Sequence, residues 1–66
     1  MKTVTLRVYV DGYPTRQKFN IDQGTHFWYR KNNNYPYEGS DFCYNNIIYR
    51  VTETPQDIDC KLQYGD

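Results

Sequence analysis

The sequence predicts an all-β fold, a small antiparallel barrel or sandwich of five to six strands. Apolar and polar residues alternate with period two in several segments, and Gly, Pro and Asn clusters separate those segments. The chain also has twelve aromatic residues and no Ala, which favours strands over helices. Its 66 residues leave room for one domain, residues 1–66.

The first two predicted strands form an antiparallel pair. Residues 2–10, KTVTLRVYV, alternate strictly, with Val4, Leu6, Val8 and Val10 on one side. Asp11-Gly12 opens a turn, which residues 13–15 extend to a loop of five residues. The second strand, residues 17–21, then turns Phe19 and Ile21 inward.

A third strand covers residues 25–31, after a turn at Asp22-Gln23-Gly24. Alternation allows either side of this strand to face the core, and we favour Phe27 and Tyr29 inward with Trp28 outward. Residues 32–40 are predicted to be a loop, because they are rich in Asn and contain a Pro and a Gly. Tyr35 and Tyr37 in this loop either cover an open end of the core or contact a partner.

The centre of the fold is predicted to be a hairpin around Asn45-Asn46. Asparagine tolerates the left-handed backbone of a two-residue turn, and apolar strands flank it at residues 41–44 and 47–54. These strands offer a large aromatic and aliphatic surface for the other strands to cover.

The last predicted strand is residues 58–64, after a turn containing Pro55. Ile58, Cys60, Leu62 and Tyr64 would then share one side. The order of strand, Asn-Asn turn, long strand, Pro turn and strand resembles the meander of SH3-like small barrels over the second half of the chain. The resemblance is one of architecture, and it implies no functional residues.

The formal charge is zero, but the charges are unevenly distributed along the chain. Residues 1–31 have six cations against two acids, a balance of plus four, and residues 32–66 have two cations against six acids, a balance of minus four. Either the halves form different faces and the molecule is a dipole, or the strands interleave and the charges cancel.

Cys43 and Cys60 are the only cysteines, and no apolar signal or membrane-spanning run is present in the sequence. We therefore expect both thiols to be reduced and buried in strands, and no contact with a membrane. The expected location is the cytoplasm, or the host cytoplasm if the chain is encoded by a bacteriophage.

No motif indicates an enzyme, a metal site or a cofactor. His26 is far in sequence from Ser40 and Cys43, no Cys-x-x-Cys occurs, and the glycines stand singly at turns instead of forming a phosphate loop. A non-enzymatic function without a cofactor is therefore expected.

Protein binding is the expected function, because a chain of this length has more aromatic rings than its core can hold. The composition is typical of a bacterial or bacteriophage accessory protein that binds and inhibits a host factor. The oligomeric state is open, because the edge strands of a short sheet also allow pairing with copies of the same chain as a homo-oligomer. The candidate contact residues are Tyr9, Tyr13, Trp28, Arg30, Tyr35 and Tyr37.

The alternative hypothesis is a single-stranded nucleic-acid-binding domain. Exposed aromatic rings beside cations on a β surface provide base stacking and phosphate contacts together. The residues predicted for this surface are Arg7, Tyr9, Lys18, Trp28 and Arg30. The neutral overall charge speaks against this alternative.

Overall fold

The computed structural model describes residues 2–32 and 39–65, which form one antiparallel sheet and a helix. The strand order is β2-β1-β5-β4-β3, and the helix α1 covers one side. The elements are β1 Lys2–Val10, β2 Tyr13–Ile21, β3 Phe27–Asn32, β4 Gly39–Tyr44, β5 Ile47–Val51 and α1 Pro55–Tyr64. The prediction of a mostly antiparallel β fold is confirmed, but the sheet does not close into a barrel.

The β1–β2 hairpin has a tighter turn than the sequence analysis predicted. Asp11 and Gly12 both have positive φ, 52° and 83°, which is the conformation of a two-residue turn. Val10 pairs directly with Tyr13, so β2 begins at Tyr13. The predicted five-residue loop is wrong, because Asp-Gly suffices to reverse the chain.

The β4–β5 hairpin turns at Asn45-Asn46, as predicted, with φ values of 50° and 69°. β5 is the middle strand of the sheet, so this hairpin does lie at the centre of the fold. β4 begins at Gly39, inside the predicted loop. At φ 139°, an added Cβ on Gly39 would lie 2.1 Å from the carbonyl oxygen of Val51, so this strand position requires glycine.

β3 begins and ends slightly later than predicted, and its sides are oriented as favoured from the sequence. Phe27 and Tyr29 pack against the core, and Trp28 is 44% exposed. Tyr35 and Tyr37 lie outside the described residues, so the prediction about the loop they occupy stays a prediction.

The predicted sixth strand is wrong, because residues 55–64 are a helix. The Thr54 side chain accepts a hydrogen bond from the Asp57 amide, the Asp57 side chain accepts one from the Thr54 amide, and Pro55 occupies the first turn. These are a capping box and a proline at the helix start, which together favour a helix over a strand. As a result Ile58 is buried and Tyr64 is 79% exposed, whereas the strand prediction put them on one side.

The core lies between the curved sheet and α1. Phe19 on β2 contacts Phe42, Tyr44 and Tyr49, with ring centroids 4.9, 5.1 and 5.2 Å away. These rings belong to β4 and β5, which are not neighbours of β2 in the sheet, so the sheet must curve around Phe19. Ile58 closes the core from the helix side.

β1 and β5 join the two parts of the sheet over a short stretch. Val8 pairs with Val51, and the Thr52 amide donates to the Arg7 carbonyl. The carboxylate of Glu53 then accepts the Arg7 amide at 3.0 Å, which satisfies a backbone donor that no strand reaches. The chain turns from this point into α1.

Candidate binding surface

The side of the sheet opposite α1 is called the outer surface here, and the strand register defines its residues. Because side chains alternate along each strand, the neighbours of the buried residues point outward. The outer surface carries Thr3, Thr5, Arg7 and Tyr9 of β1, Arg16, Lys18 and Asn20 of β2, Trp28 and Arg30 of β3, Asp41 and Cys43 of β4, and Ile48 and Arg50 of β5. Since the sheet curves around Phe19, this surface is convex.

An apolar row crosses the outer surface on the three strands β3, β4 and β5. Trp28 pairs with Cys43, and Cys43 pairs with Ile48. Trp28 and Ile48 are 44% and 57% exposed, while Cys43 between them is buried. The row therefore presents two large side chains to solvent.

Arg30 lies over the Trp28 ring, with its guanidinium carbon 5.4 Å from the ring centroid. Its Nε is 3.5 Å from a carboxylate oxygen of Asp41, and Asn32 donates to the other oxygen of Asp41 at 2.7 Å. These contacts favour a defined position for the guanidinium next to the indole ring. An aromatic ring and a cation are thus held side by side.

A second group, the basic cluster, consists of Arg7, Arg16 and Lys18 on β1 and β2. Arg7 and Arg16 are direct cross-strand partners, and Lys18 is the partner of Thr5. An open cavity of about 260 Å³ lies here, lined by Thr5, Arg16, Gln17 and Lys18. No carboxylate of the described residues forms an ion pair with these three cations.

Most of the cations in the described part of the chain lie on the outer surface. Asp41 is the one acid of the outer surface among the described residues, and the rest of the chain has seven acids against three cations. The cations of the outer surface are Arg7, Arg16, Lys18, Arg30 and Arg50. The described residues of the outer surface therefore have a balance of plus four, although the whole chain is neutral.

The helix side has different polar contacts, which hold α1 to the sheet. The Tyr29 hydroxyl donates to Asp59, and the Lys2 ammonium donates to the Leu62 carbonyl near the helix C-terminus. Burial, followed by the hydrogen bond to Asp59 and the charge of that residue, raises the pKa of Tyr29 from 10.0 to about 12. These contacts hold α1 on the side of the sheet opposite the outer surface.

The residues predicted for the nucleic-acid alternative, Arg7, Tyr9, Lys18, Trp28 and Arg30, all lie on the outer surface. The protein-binding set is more dispersed: Tyr9, Trp28 and Arg30 share that surface, but Tyr13 lies at the tip of the first hairpin, where it is 75% exposed. Tyr35 and Tyr37 are outside the described residues.

Sequence reasoning missed Arg16, Ile48 and Arg50 as residues of this surface. Reading Asp11-Gly12 as a two-residue turn would have placed Arg16 in a strand, opposite Arg7. Alternation from buried Val51 would likewise have turned Arg50 and Ile48 outward.

Among the described residues, His26 makes no hydrogen bond to Ser40, Cys43 or Cys60. The buried Ser40 hydroxyl donates to the Glu53 carbonyl at 2.7 Å, and the His26 ring makes no hydrogen bond to any described residue. Cys43 and Cys60 are both free thiols, and Cys60 is exposed on α1, contrary to the predicted buried strand position. Within residues 2–32 and 39–65, no three His, Cys, Asp or Glu side chains are grouped as metal ligands.

The described helix is too short and too polar to span a bilayer. Comparison of the chain with protein-family models, curated proteins and solved structures finds no match.

Proposed function

We propose that this chain is a non-enzymatic module that binds single-stranded nucleic acid along its outer surface. The observation that carries the proposal is the concentration of cations on that surface, five against one acid, beside the exposed ring of Trp28. Cations attract the phosphate backbone, and an aromatic ring next to them stacks a base without selecting its sequence.

The neutral formal charge is compatible with this function because binding depends on the local potential. Among the described acids outside this surface, Asp11 and Asp22 lie at turns and Asp57 and Asp59 lie on α1, and none of them forms an ion pair with the basic cluster. Asp41, the acid on the surface, is already paired with Arg30. A bound nucleic-acid strand would run from the basic cluster on β1 and β2 toward Trp28 on β3.

The direct test uses the intrinsic fluorescence of Trp28, which is the only tryptophan of the chain. Oligothymidine of about 10 nucleotides falls within the range of about 4–16 nucleotides that small β domains occupy. We expect it to quench the fluorescence, with an affinity that falls steeply as salt increases. No change at low salt would exclude the proposed function.

A variant pair locates the contact. Trp28→Ala should weaken binding of a labelled oligothymidine, measured by anisotropy, by a factor corresponding to about 1–3 kcal/mol of lost stacking. Tyr64→Ala is the matched control, because Tyr64 is an exposed aromatic residue on α1. Equal weakening by both variants would contradict binding through the outer surface.

Protein binding is the second candidate, and the exposed apolar row of Trp28 and Ile48 favours it. Trp and Arg dominate contact energies at protein interfaces, and here Arg30 lies over Trp28 while Ile48 adds exposed aliphatic surface. In this hypothesis the chain is a cytoplasmic accessory protein, bacterial or bacteriophage, that occupies an acidic surface of a host factor and inhibits it.

Ile48→Asp tests the protein-binding candidate. A protein partner retained by the natural chain in near-stoichiometric amount should be lost with Ile48→Asp and kept with Tyr64→Asp, because only Ile48 lies in the apolar row. Retention by all three chains would exclude the row as the contact. Oligothymidine binding with no such partner would favour the nucleic-acid function.

A further inference from the structure

The basic cluster differs from the rest of the outer surface because its cations face one another. Arg7 and Arg16 are directly opposite on β1 and β2. The Arg7 amide and carbonyl both bond toward Glu53 and Thr52, so the Arg7–Arg16 pair is not hydrogen-bonded across the β1–β2 ladder. In such pairs the side chains approach most closely, and like charges repel.

The described residues provide no ion-pair partner for this group of cations. No carboxylate in residues 2–32 or 39–65 lies within ion-pair distance of either guanidinium or of the Lys18 ammonium. Glu53 is close to Arg7 in the fold, but its carboxylate accepts the backbone amide of Arg7. The missing counter-charge is therefore one that a ligand can supply.

The cavity beside this pair has the donors that an oxyanion requires. Arg16 and Lys18 line it with Gln17 between them, and Thr5 lines it from the neighbouring strand. The Thr5 hydroxyl makes no hydrogen bond to the described residues, so it is free to donate. The lining residues thus include one with a guanidinium, one with an ammonium and one with a hydroxyl, and each of these groups can donate to an acceptor oxygen of a phosphate.

We infer that Thr5, Arg16 and Lys18, with Arg7 across the ladder, form a phosphate-binding subsite. This inference rests on the proposed function and extends it. When single-stranded nucleic acid is bound, the subsite would hold one or two of its backbone phosphates near β2, while Trp28 stacks a base near β3. The same chemistry would accept a free phosphate, so the experiment needs one arm for each source.

The first arm titrates the full chain with inorganic phosphate at constant ionic strength and follows backbone amides by NMR. We expect saturable shifts at Thr5, Arg16, Gln17 and Lys18. Arg16→Gln with Lys18→Gln should weaken phosphate binding at least about tenfold, because charge-assisted hydrogen bonds are lost. Uniform, non-saturating shifts would overturn the subsite.

The matched control for this arm is Lys31→Gln with Lys61→Gln, which removes the same charge from residues of β3 and α1 that are not part of the outer surface. Phosphate affinity should stay within about twofold of the natural chain, because the oxyanion is bound by specific donors and the distant charges are screened. Equal weakening in the control would overturn the subsite, because it would show a response to net charge alone.

The second arm measures oligothymidine affinity against salt. Each phosphate contact contributes about 0.7 to the slope of log affinity against log salt, so Arg16→Gln with Lys18→Gln should reduce that slope by about 1.4. An unchanged slope would overturn the use of the subsite by nucleic acid. Phosphate binding without oligothymidine binding would keep the subsite and exclude the proposed function, so the two failures are distinguishable.

Discussion

On the inner side of the sheet, Phe19 touches three aromatic rings and Ile58 of the helix closes over the same core. On the outer side, Arg16 and Lys18 line an open cavity and have no ion-pair partner among the described residues. Both sides belong to the same alternating strands. What differs is that α1 and the curvature of the sheet exclude water from one side only.

Because of this difference, we expect the inner side to determine stability and the outer side to determine binding. Burial of apolar area stabilises the fold by roughly 25 cal/mol per Å², and that area is concentrated around Phe19. Exposed charges contribute little to stability but attract oppositely charged ligands. Substitutions on the inner side should therefore change stability, and those on the outer side should change binding.

The largest expected effect comes from Phe19→Ala, which removes the ring at the centre of the aromatic core. The free energy of unfolding should fall by about 3–5 kcal/mol, because a cavity replaces three ring contacts. Ile48→Ala on the outer side should change it by no more than about 0.5 kcal/mol. Urea denaturation monitored by Trp28 fluorescence measures both.

A chain of this size could unfold completely when Phe19 becomes Ala. Phe19→Leu keeps part of the apolar volume and should give a smaller, measurable loss. Equal losses of unfolding free energy in Phe19→Leu and Ile48→Ala would contradict the expectation that the inner side contributes more to stability than the outer side.

The next largest effect concerns the cap that holds α1 over the inner side. Thr54→Ala should lower the free energy of unfolding by about 1 kcal/mol, since the Asp57 amide loses its acceptor. Thr54→Ser retains a hydroxyl and should restore most of that loss. Thermal unfolding by circular dichroism distinguishes the two, and identical melting temperatures would rule out a role for the cap.

Alkaline pH should weaken the contact between α1 and β3. The pKa of Tyr29 is about 12 in the folded chain against 10.0 ordinarily, so both states keep the proton below pH 10. Between these values the unfolded chain releases the proton first, and stability falls as pH rises. Tyr29→Phe should show a shallower decline over this window in denaturation experiments at stepped pH, and an equal decline would contradict the assignment.

The smallest expected effect is a gain in stability on the outer side. Arg16→Gln removes the repulsion with Arg7, so the free energy of unfolding should rise by about 0.2–1 kcal/mol at low salt. The gain should diminish as salt is added, because screening already weakens the repulsion. A loss of stability at low salt would mean that Arg16 has a structural role.

Much of the sheet could be predicted because alternation and turn chemistry are local. The sides of β1 and β3 and the Asn45-Asn46 turn follow from residues within a few positions of one another. The helix was missed because Ile58, Cys60, Leu62 and Tyr64 also fit a strand, and the capping signal at Thr54 was interpreted as an ordinary turn.

The candidate surface was only partly predictable for a different reason. Alternation indicates that Trp28 and Arg7 face the same way, but it does not tell which strands become neighbours. The pairing of Val8 with Val51 brings β1 beside β5 and so joins the basic cluster to the apolar row. That contact is non-local, and no short stretch of sequence encodes it.

The sequence by itself determined the strand periodicity, the Asn45-Asn46 turn and the abundance of aromatic side chains, because these can be read from neighbouring residues. Only the tertiary structure decided which side of the sheet α1 covers, that most of the described cations lie on the outer surface, and that Arg7 and Arg16 face each other. Those features depend on contacts between segments that are far apart in the sequence, and these contacts form together only when the whole core assembles.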